Sequence, residues 1–258
     1  MKRLFEYRVA YSTILVKEVR RFLRIWMQTV LPAVISTSLY FLIFGHLIGE
    51  RIGDMEGYRY IDFIVPGVIL MAIINNAYGN VVSSFFSAKF QRHVEELLVS
   101  PMPNHIILLG FVSGGIARGV TVGLAVTAVA ALLSDLQVHN LAVVLLVAVL
   151  TAALFAIAGL INAIYAKSFD DISIIPTFVL TPLIYLGGIF YSLEMLPEFW
   201  RGVSLFNPIL YMINAFRYGF IGSADIGLGT AFAIIGLFIV ALYLFALHLL
   251  NRGVGIRS

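Results

Sequence analysis

The sequence predicts an all-α integral membrane protein with six transmembrane helices. Of its 258 residues, 60% are hydrophobic and only 12% are charged, whereas soluble domains carry roughly 25% charged residues. Six apolar segments each reach the roughly 20 residues that a helix needs to cross a hydrocarbon core of ~30 Å. Helices are the only option at this segment length, because every backbone polar group in lipid must find its hydrogen bond inside the protein.

The six predicted spans organise the chain into one transmembrane domain over residues 1–258. In chain order the spans are Trp26–Gly49, Phe63–Ser87, His105–Leu133, Leu141–Ala166, Ile172–Tyr191 and Thr230–Leu250. The domain divides into an interfacial helix at 1–25, the first five spans within 26–191, external helices at 192–229, and the sixth span with a tail at 230–258. No internal repeat or linker marks a second domain.

The first 24 residues are predicted to form a helix that lies in the membrane interface. Apolar residues recur every three or four positions from Leu4 to Phe22, and basic residues occupy the opposite stripe. A basic face of this kind favours anionic lipid headgroups. No apolar run precedes Trp26, so a cleavable signal is not expected.

The distribution of Lys and Arg predicts that both termini are cytoplasmic. With the N-terminus inside, the inner segments hold seven basic residues before Trp26 and five more, at Lys89, Arg92, Lys167, Arg252 and Arg257. The outer loops hold four, at Arg51, Arg59, Arg201 and Arg217.

The polar stretch 88–104, AKFQRHVEELLVSPMPN, is predicted to form an amphipathic helix at the cytoplasmic face. From Lys89 to Val99 it has a charged face and an apolar face. Pro101 and Pro103 end the helix, because proline lacks an N–H and disfavours helix at the preceding residue. A short helix held between two spans suits contact with a soluble partner. The alternative is an ordinary solvated loop with a helical turn.

The segment 192–229 differs in kind from the other connections. It is rich in aromatic residues and is broken by Pro197, Gly202 and Pro208. We predict two short helices that dip into the outer leaflet and return, or lie on it. Non-helical backbone at that depth must be covered by protein, so this segment is expected to cap the outer mouth of the bundle. The alternative is a plain interfacial anchor formed by its aromatic side chains, Phe199, Trp200 and Tyr211.

Polar residues within the spans mark a candidate substrate path. Asn75, Asn76 and Tyr78 lie in the second span, and Arg118 lies in the third. A charge at bilayer depth costs ~2.5–3.5 kcal/mol on insertion scales, so such a residue faces an interior, a cavity or a partner. Two alternatives stay open: hydrogen bonds between helices for the second-span residues, and a snorkelling Arg118 near the inner interface.

Glycines spaced four apart indicate close packing of the third span. Gly110 and Gly114 form one such pair, and Gly115, Gly119 and Gly123 continue the spacing. Small residues at this interval are expected to line one side of the helix and to let the backbones of two membrane helices approach closely.

Signatures of catalysis and of metal binding are missing from the sequence. None of the four lysines belongs to a phosphate-binding GxxxxGK[ST] loop, and neither HExxH nor GxSxG occurs. The chain has no cysteine, so it has no disulfide framework or thiolate metal site. We expect no catalytic residue, no metal site and no cofactor on this chain, and no nucleic-acid partner.

The chain resembles the ABC-2 type transport permeases over its whole length. The resemblance rests on the basic N-terminal helix, the six spans, VEELLVSPMP after the second span, and FWRGVSLFNPILYMINAFRYGF before the sixth. It implies an exporter of lipids, glycolipids or polysaccharides, or drug-like compounds in a bacterial inner membrane. Two copies of the permease would pair, and two copies of a separate ATPase, with ATP and Mg, would bind beneath them.

The resemblance also implies roles for individual residues. The N-terminal helix would be a connecting helix that touches the ATPase. The coupling helix seated in the ATPase would comprise Lys89, Arg92, Glu95, Glu96, Leu97, Leu98 and Pro101. The external gate would comprise Phe199, Trp200, Pro208 and Tyr211.

Three other classes compete with this interpretation. A secondary transporter commonly shows inverted repeats and intramembrane acids, whereas every Asp and Glu here is expected in or beside a loop. A membrane-embedded enzyme would cluster His, Asp or Glu within the spans. A scaffold or receptor would transport nothing.

Overall fold

A computed structural model describes residues 2–255, with the side chains of residues 2–4 and 46 left aside. The predictions that concern Leu4 and Arg257 therefore lie outside the described part. The chain folds into ten longer helices, one turn of 3-10 helix at Leu193–Met195 and one small hairpin within that range. In chain order they are α1 (Lys2–Arg24), α2 (Trp26–Ile52), β1 (Asp54–Met55), β2 (Tyr58–Arg59), α3 (Tyr60–Phe90), α4 (His93–Val99), α5 (Asn104–Leu133), α6 (Leu141–Tyr165), α7 (Asp171–Tyr185), α8 (Glu198–Leu205), α9 (Pro208–Ile221) and α10 (Leu228–Arg252).

Helix α3 forms the centre of the bundle, and most of its residues are buried. It packs against α5 and α6 along its length and against α9 near its N-terminal end. Helices α2, α5, α6 and α10 complete the five that, in the described part of the chain, are long and apolar enough to cross a membrane. These five correspond to the first four and the sixth predicted spans.

The predicted fifth span is shorter than the sequence suggested. Helix α7 ends at Tyr185, six residues before the expected end. At 1.5 Å per residue its 15 residues cover about 22 Å, which is less than a hydrocarbon core. The chain turns at Gly187 and Gly188, and Gly188 has a φ of +79°, a conformation that residues with a Cβ rarely adopt. A double glycine therefore ends the helix.

The glycines of α5 form two packing faces rather than one. A Cβ on Gly110 or Gly114 would collide with Ile14 or Glu18 of α1. A Cβ on Gly115, Gly119 or Gly123 would instead press against Ala77, Val81 or Ile73 of α3. The predicted close packing is confirmed, and the offset of one residue between the two glycine series explains how α5 fits between two neighbours.

Helix α1 packs against α5 through its apolar stripe. Ile14 and Phe22 are buried, and the Tyr11 hydroxyl lies 2.8 Å from the Ser113 hydroxyl. The basic stripe on the opposite side remains exposed at Arg20 and Arg24. Helix α1 is thus amphipathic, as its periodicity predicts.

Candidate functional site

The short helix α4 stands at the same end of the bundle as α1. Arg92 has a φ of +62°, and this left-handed residue separates α4 from the end of α3. Val94 is fully buried, whereas Val99 is 86% exposed. The helix ends at Ser100, which is extended as expected before Pro101. Helix α4 is therefore anchored by Val94, with Leu97 and Leu98 packed partly against the core, and its charged side chains and Val99 are exposed.

The exposed side of α4 combines acidic and apolar groups. Glu95 and Glu96 are exposed in its first turn, where carboxylates favour the positive end of the helix dipole. Leu97 and Leu98 are partly buried, and Pro101 is exposed beyond the helix. Arg92 is exposed as well, so six of the seven predicted coupling residues lie within this short segment or at its ends.

Lys89 is the exception, because it lies in the last turn of α3 and not on the amphipathic helix. The prediction of one helix from Lys89 to Val99 is wrong for this reason. Its ammonium group donates hydrogen bonds to the carbonyls of Ile164 at 2.6 Å and Ala166 at 2.7 Å. These carbonyls end α6 and lack partners within that helix. Lys89 therefore caps α6 and ties it to α3.

A carboxylate is buried where α1, α3 and α5 meet. Glu18 is fully buried, accepts a hydrogen bond from Ser84 at 2.6 Å and pairs with Arg21 at 3.2 Å. The expectation that every carboxylate lies in or beside a loop is wrong for Glu18. The residue falls four positions from both Ile14 and Phe22, so the helical period already places it on the apolar stripe.

Arg21 extends this buried cluster onto α3. Its Nη2 donates to both the backbone oxygen and the side-chain oxygen of Asn80, at 2.9 and 2.8 Å. Asn80 is itself fully buried. One turn before Asn80 in α3, Asn76 accepts a hydrogen bond from Arg118 of α5 at 3.2 Å. Two guanidinium groups thus bind two amides that are stacked on one face of α3.

Three of the four predicted path residues line a single groove. Asn75, Asn76 and Arg118 face a space of about 380 Å³ between α2, α3 and α5. Tyr78 does not: it is buried, and its backbone oxygen lies 2.6 Å from the position that a Cβ on Gly159 would occupy. Two residues beyond Asn76 a helix has turned by about 200°, so Tyr78 faces α6 instead.

The two short helices expected in the outer connection are present as α8 and α9, and they differ. On α8, Phe199 is 72% and Trp200 47% exposed, with their rings in edge-to-face contact. Pro208 opens α9, where its missing N–H costs nothing. Tyr211 is buried and its hydroxyl donates to the Leu205 carbonyl at 2.7 Å. The predicted gate residues are therefore divided between an exposed helix and a buried one.

The prediction that places Arg217 among the cations of the outer loops is wrong. Arg217 lies in α9, is 1% exposed and donates to the Gly188 carbonyl at 2.6 Å. Its guanidinium stacks on the Phe63 ring at 3.8 Å, a cation–π contact that partly replaces lost hydration. Its carbonyl and aromatic partners are far away in sequence, so no local pattern could have revealed this site.

An ion-pair network at the start of α3 also escaped prediction. Arg59 bridges Asp62 at 2.8 Å and Asp135 of the α5–α6 connection at 2.6 Å. The hydrogen bond to Asp62 and the charges of both carboxylates raise the pKa of Arg59. A turn of Glu56 and Gly57, both with positive φ, closes the β1–β2 hairpin just before it. The pairs are exposed, and such pairs contribute little to stability.

Comparison with known proteins gives a consistent result. Residues 9–221 match the family model of the ABC-2 type transporter. The inner membrane transport permease YadH of Escherichia coli strain K12 is 58% identical over 252 residues, which cover 98% of each chain. Nodulation protein J of Rhizobium leguminosarum bv. viciae is 23% identical over 232 residues, which cover 88% of this chain and 90% of that protein. Nodulation protein J of Rhizobium meliloti strain 1021 is 24% identical over 232 residues, covering 88% of each.

Proposed function

The chain belongs to the ABC-2 type transporter family and is a multi-pass inner-membrane permease of an ABC transporter; from this premise we propose that it exports a hydrophobic or amphipathic substrate. A separate ATPase subunit, which would hold ATP and Mg, drives the export. The substrate is a lipid, a glycolipid or polysaccharide, or a drug-like compound. The name of the Escherichia coli relative supports transport as the activity, and the family implies association with an ABC ATPase.

The observation that carries the proposal is helix α4. It projects from the end of the central helix α3, it is fixed by the buried Val94 and the partly buried Leu97 and Leu98, and its side chains Glu95, Glu96 and Val99 are exposed in the described part of the chain. We propose that α4 is the coupling helix, with Glu95 and Glu96 binding a basic rim and Val99 entering an apolar recess of the ATPase. Lys89 then connects the end of α3, from which α4 projects, to the end of α6.

The remaining elements receive roles consistent with this one. Both termini are cytoplasmic, and α1 connects the ATPase surface to α5. The segment from α7 to α9 completes the fifth crossing and forms the outer gate, with Phe199 and Trp200 at its surface and Pro208 and Tyr211 behind them. Two copies pair to form the translocation route, and two ATPase copies bind beneath.

The proposal is tested by affinity capture of the tagged full chain in mild detergent. We expect a soluble ATPase to be captured in stoichiometric amount and to be released when Glu95 and Glu96 are both replaced by Arg. Charge attraction across an interface is lost and becomes repulsion in that variant. The matched control is Glu194→Arg, which reverses an exposed charge in the outer connection and should retain the ATPase.

Two outcomes would contradict the proposal. Equal capture by the double variant would remove α4 as the docking site. Failure to capture any ATPase with a folded permease would favour the alternative, a secondary transporter or a scaffold that transports nothing. Among the described residues, Glu18 is the buried carboxylate that a secondary transporter could use, but its pairing with Arg21 and Ser84 favours a structural role.

A further inference from the structure

The groove between α2, α3 and α5 contains a cation at one end. This end, nearest α1, is lined by Gln28, Thr29, Asn75, Asn76 and Arg118. The next turn of α2 and of α3 forms an apolar band of Pro32, Ala33, Met71 and Ala72, and hydroxyl groups follow beyond it at Ser36, Thr37 and Tyr40. A cationic end beside an apolar band fits a molecule with an anionic head and an apolar portion next to it.

Arg118 dominates the charge of the polar end. No carboxylate of the described residues lies within ion-pair distance of it. Its Nη2 binds the Asn76 amide oxygen, its Nε is enclosed without a hydrogen-bond partner, and its Nη1 has no hydrogen bond to a described residue. A guanidinium at this depth is costly unless it is paired. The groove therefore holds a cation whose donors are not saturated.

The neighbouring charges do not compensate Arg118. Glu18 is committed to Arg21 and Ser84, and that ion pair is neutral as a unit. Arg21 binds Asn80, one turn from the Asn76 that binds Arg118, so two guanidinium groups face the same stretch of α3. The cluster of Glu18, Arg21 and Arg118 thus carries one net positive charge, and the groove beside it is the open space that an anion could enter.

We propose that this groove binds the phosphate-bearing headgroup of an anionic amphiphile, with Arg118 as its charged ligand. Arginine binds phosphate through parallel hydrogen bonds that lysine cannot reproduce. Asn75 and Thr29 supply further polar contacts, and the apolar band of Pro32, Ala33, Met71 and Ala72 receives the adjoining part of the tail. If the chain is the exporter proposed above, this assigns its substrate to anionic amphiphiles that enter from the inner leaflet.

The test measures binding to the full-length permease alone, without an ATPase. The purified protein in neutral detergent is titrated with phosphatidylglycerol and, separately, with phosphatidylcholine, and bound lipid is counted by native mass spectrometry. We expect Arg118→Gln to weaken phosphatidylglycerol binding about tenfold to a hundredfold, as for loss of a charge-assisted hydrogen bond. Arg118→Lys should weaken it less, and phosphatidylcholine binding should not change.

Two variants separate a specific site from general attraction and from misfolding. Arg252→Gln removes an exposed cation at the end of α10, outside the groove, and should bind phosphatidylglycerol like the unmodified protein. Asn75→Asp leaves Arg118 in place but adds a carboxylate to the groove. The Asn75 side chain bonds only to Met71 of its own helix, so the fold should persist while anion binding weakens.

Inorganic phosphate distinguishes the source of the anion. If millimolar phosphate displaces phosphatidylglycerol from the unmodified protein, the groove accepts free phosphate; if it does not, the lipid tail is needed. Equal phosphatidylglycerol binding by Arg118→Gln and Arg252→Gln would overturn the proposal. Because no ATPase takes part, that failure is distinct from a failure to capture an ATPase.

Discussion

The connections α3–α5 and α7–α10 both interrupt the apolar pattern, yet they are built in opposite ways. The first holds α4, which touches the bundle through Val94 and leaves its charged residues exposed. The second holds α9, whose charged residue Arg217 is buried with a carbonyl and an aromatic ring as partners. One connection is a surface element attached to the core, and the other is part of the core. Substitutions should therefore affect binding in the first and folding in the second.

The largest expected effect is the loss of stability on Arg217→Ala. The change leaves a cavity in the core and the Gly188 carbonyl without a donor, and we expect the free energy of unfolding to fall by about 3 kcal/mol. Thermal unfolding in detergent measures it. Arg217→Met keeps the volume and isolates the contribution of charge. The exposed Arg201→Ala on α8 should change stability by less than about 0.5 kcal/mol, and equal melting of the two alanine variants would show that α9 is not core.

An intermediate loss of stability is expected from Lys89→Met, in the last turn of α3, where the α3–α5 connection begins. The change removes two short hydrogen bonds to the end of α6, and we expect about 2 kcal/mol of lost stability. Lys167→Met is the matched control, because that lysine is exposed and its side chain makes no hydrogen bond to a described residue. If both lysine variants melt together, Lys89 does not join α3 to α6.

The smallest effect concerns the turn before α7. The backbone N–H of Lys167, together with Ser168, lowers the pKa of Asp171. A lowered pKa means that the ionised form is favoured in the folded turn. The contribution is therefore complete above the ordinary value of about 3.9 and is lost as pH falls through the lower folded value. Hydrogen exchange of the Lys167 and Ser168 amides should accelerate over that range.

The matched variant for this turn is Asp171→Asn. It has no carboxylate to titrate, so amide exchange in the turn should show no such acceleration. An unchanged pH profile in the variant would assign the effect to another group.

Helix positions could be predicted from the sequence because length and apolar composition determine them locally. Five of the six expected spans correspond to helices long enough to cross a membrane. The sixth candidate, α7, is short because Gly187 and Gly188 stop it, and this double glycine was visible in the sequence. The mismatch of Tyr78 with Asn75 and Asn76 was also predictable, since two helical residues differ by about 200°.

The hydrogen-bond and stacking partners of the buried charged side chains could not be predicted, because they come from residues far apart in the chain. Glu18 finds Ser84 across 66 positions, and Arg217 finds the Phe63 ring from another helix. Sequence periodicity places a charge on a buried stripe but does not identify its partner. The same limit applies to Lys89, whose charge predicted exposure although α6 offers it carbonyl groups.

The bond between Glu18 and Ser84 fixes how α1 can move. A shift of α1 along α5 by even one residue would separate a fully buried carboxylate from its hydroxyl donor, and a buried charge without its partners is strongly unfavourable. The register between α1 and the bundle is therefore locked. Because α1 cannot slide without breaking this buried bond, we expect any displacement of α1 to move α3 with it.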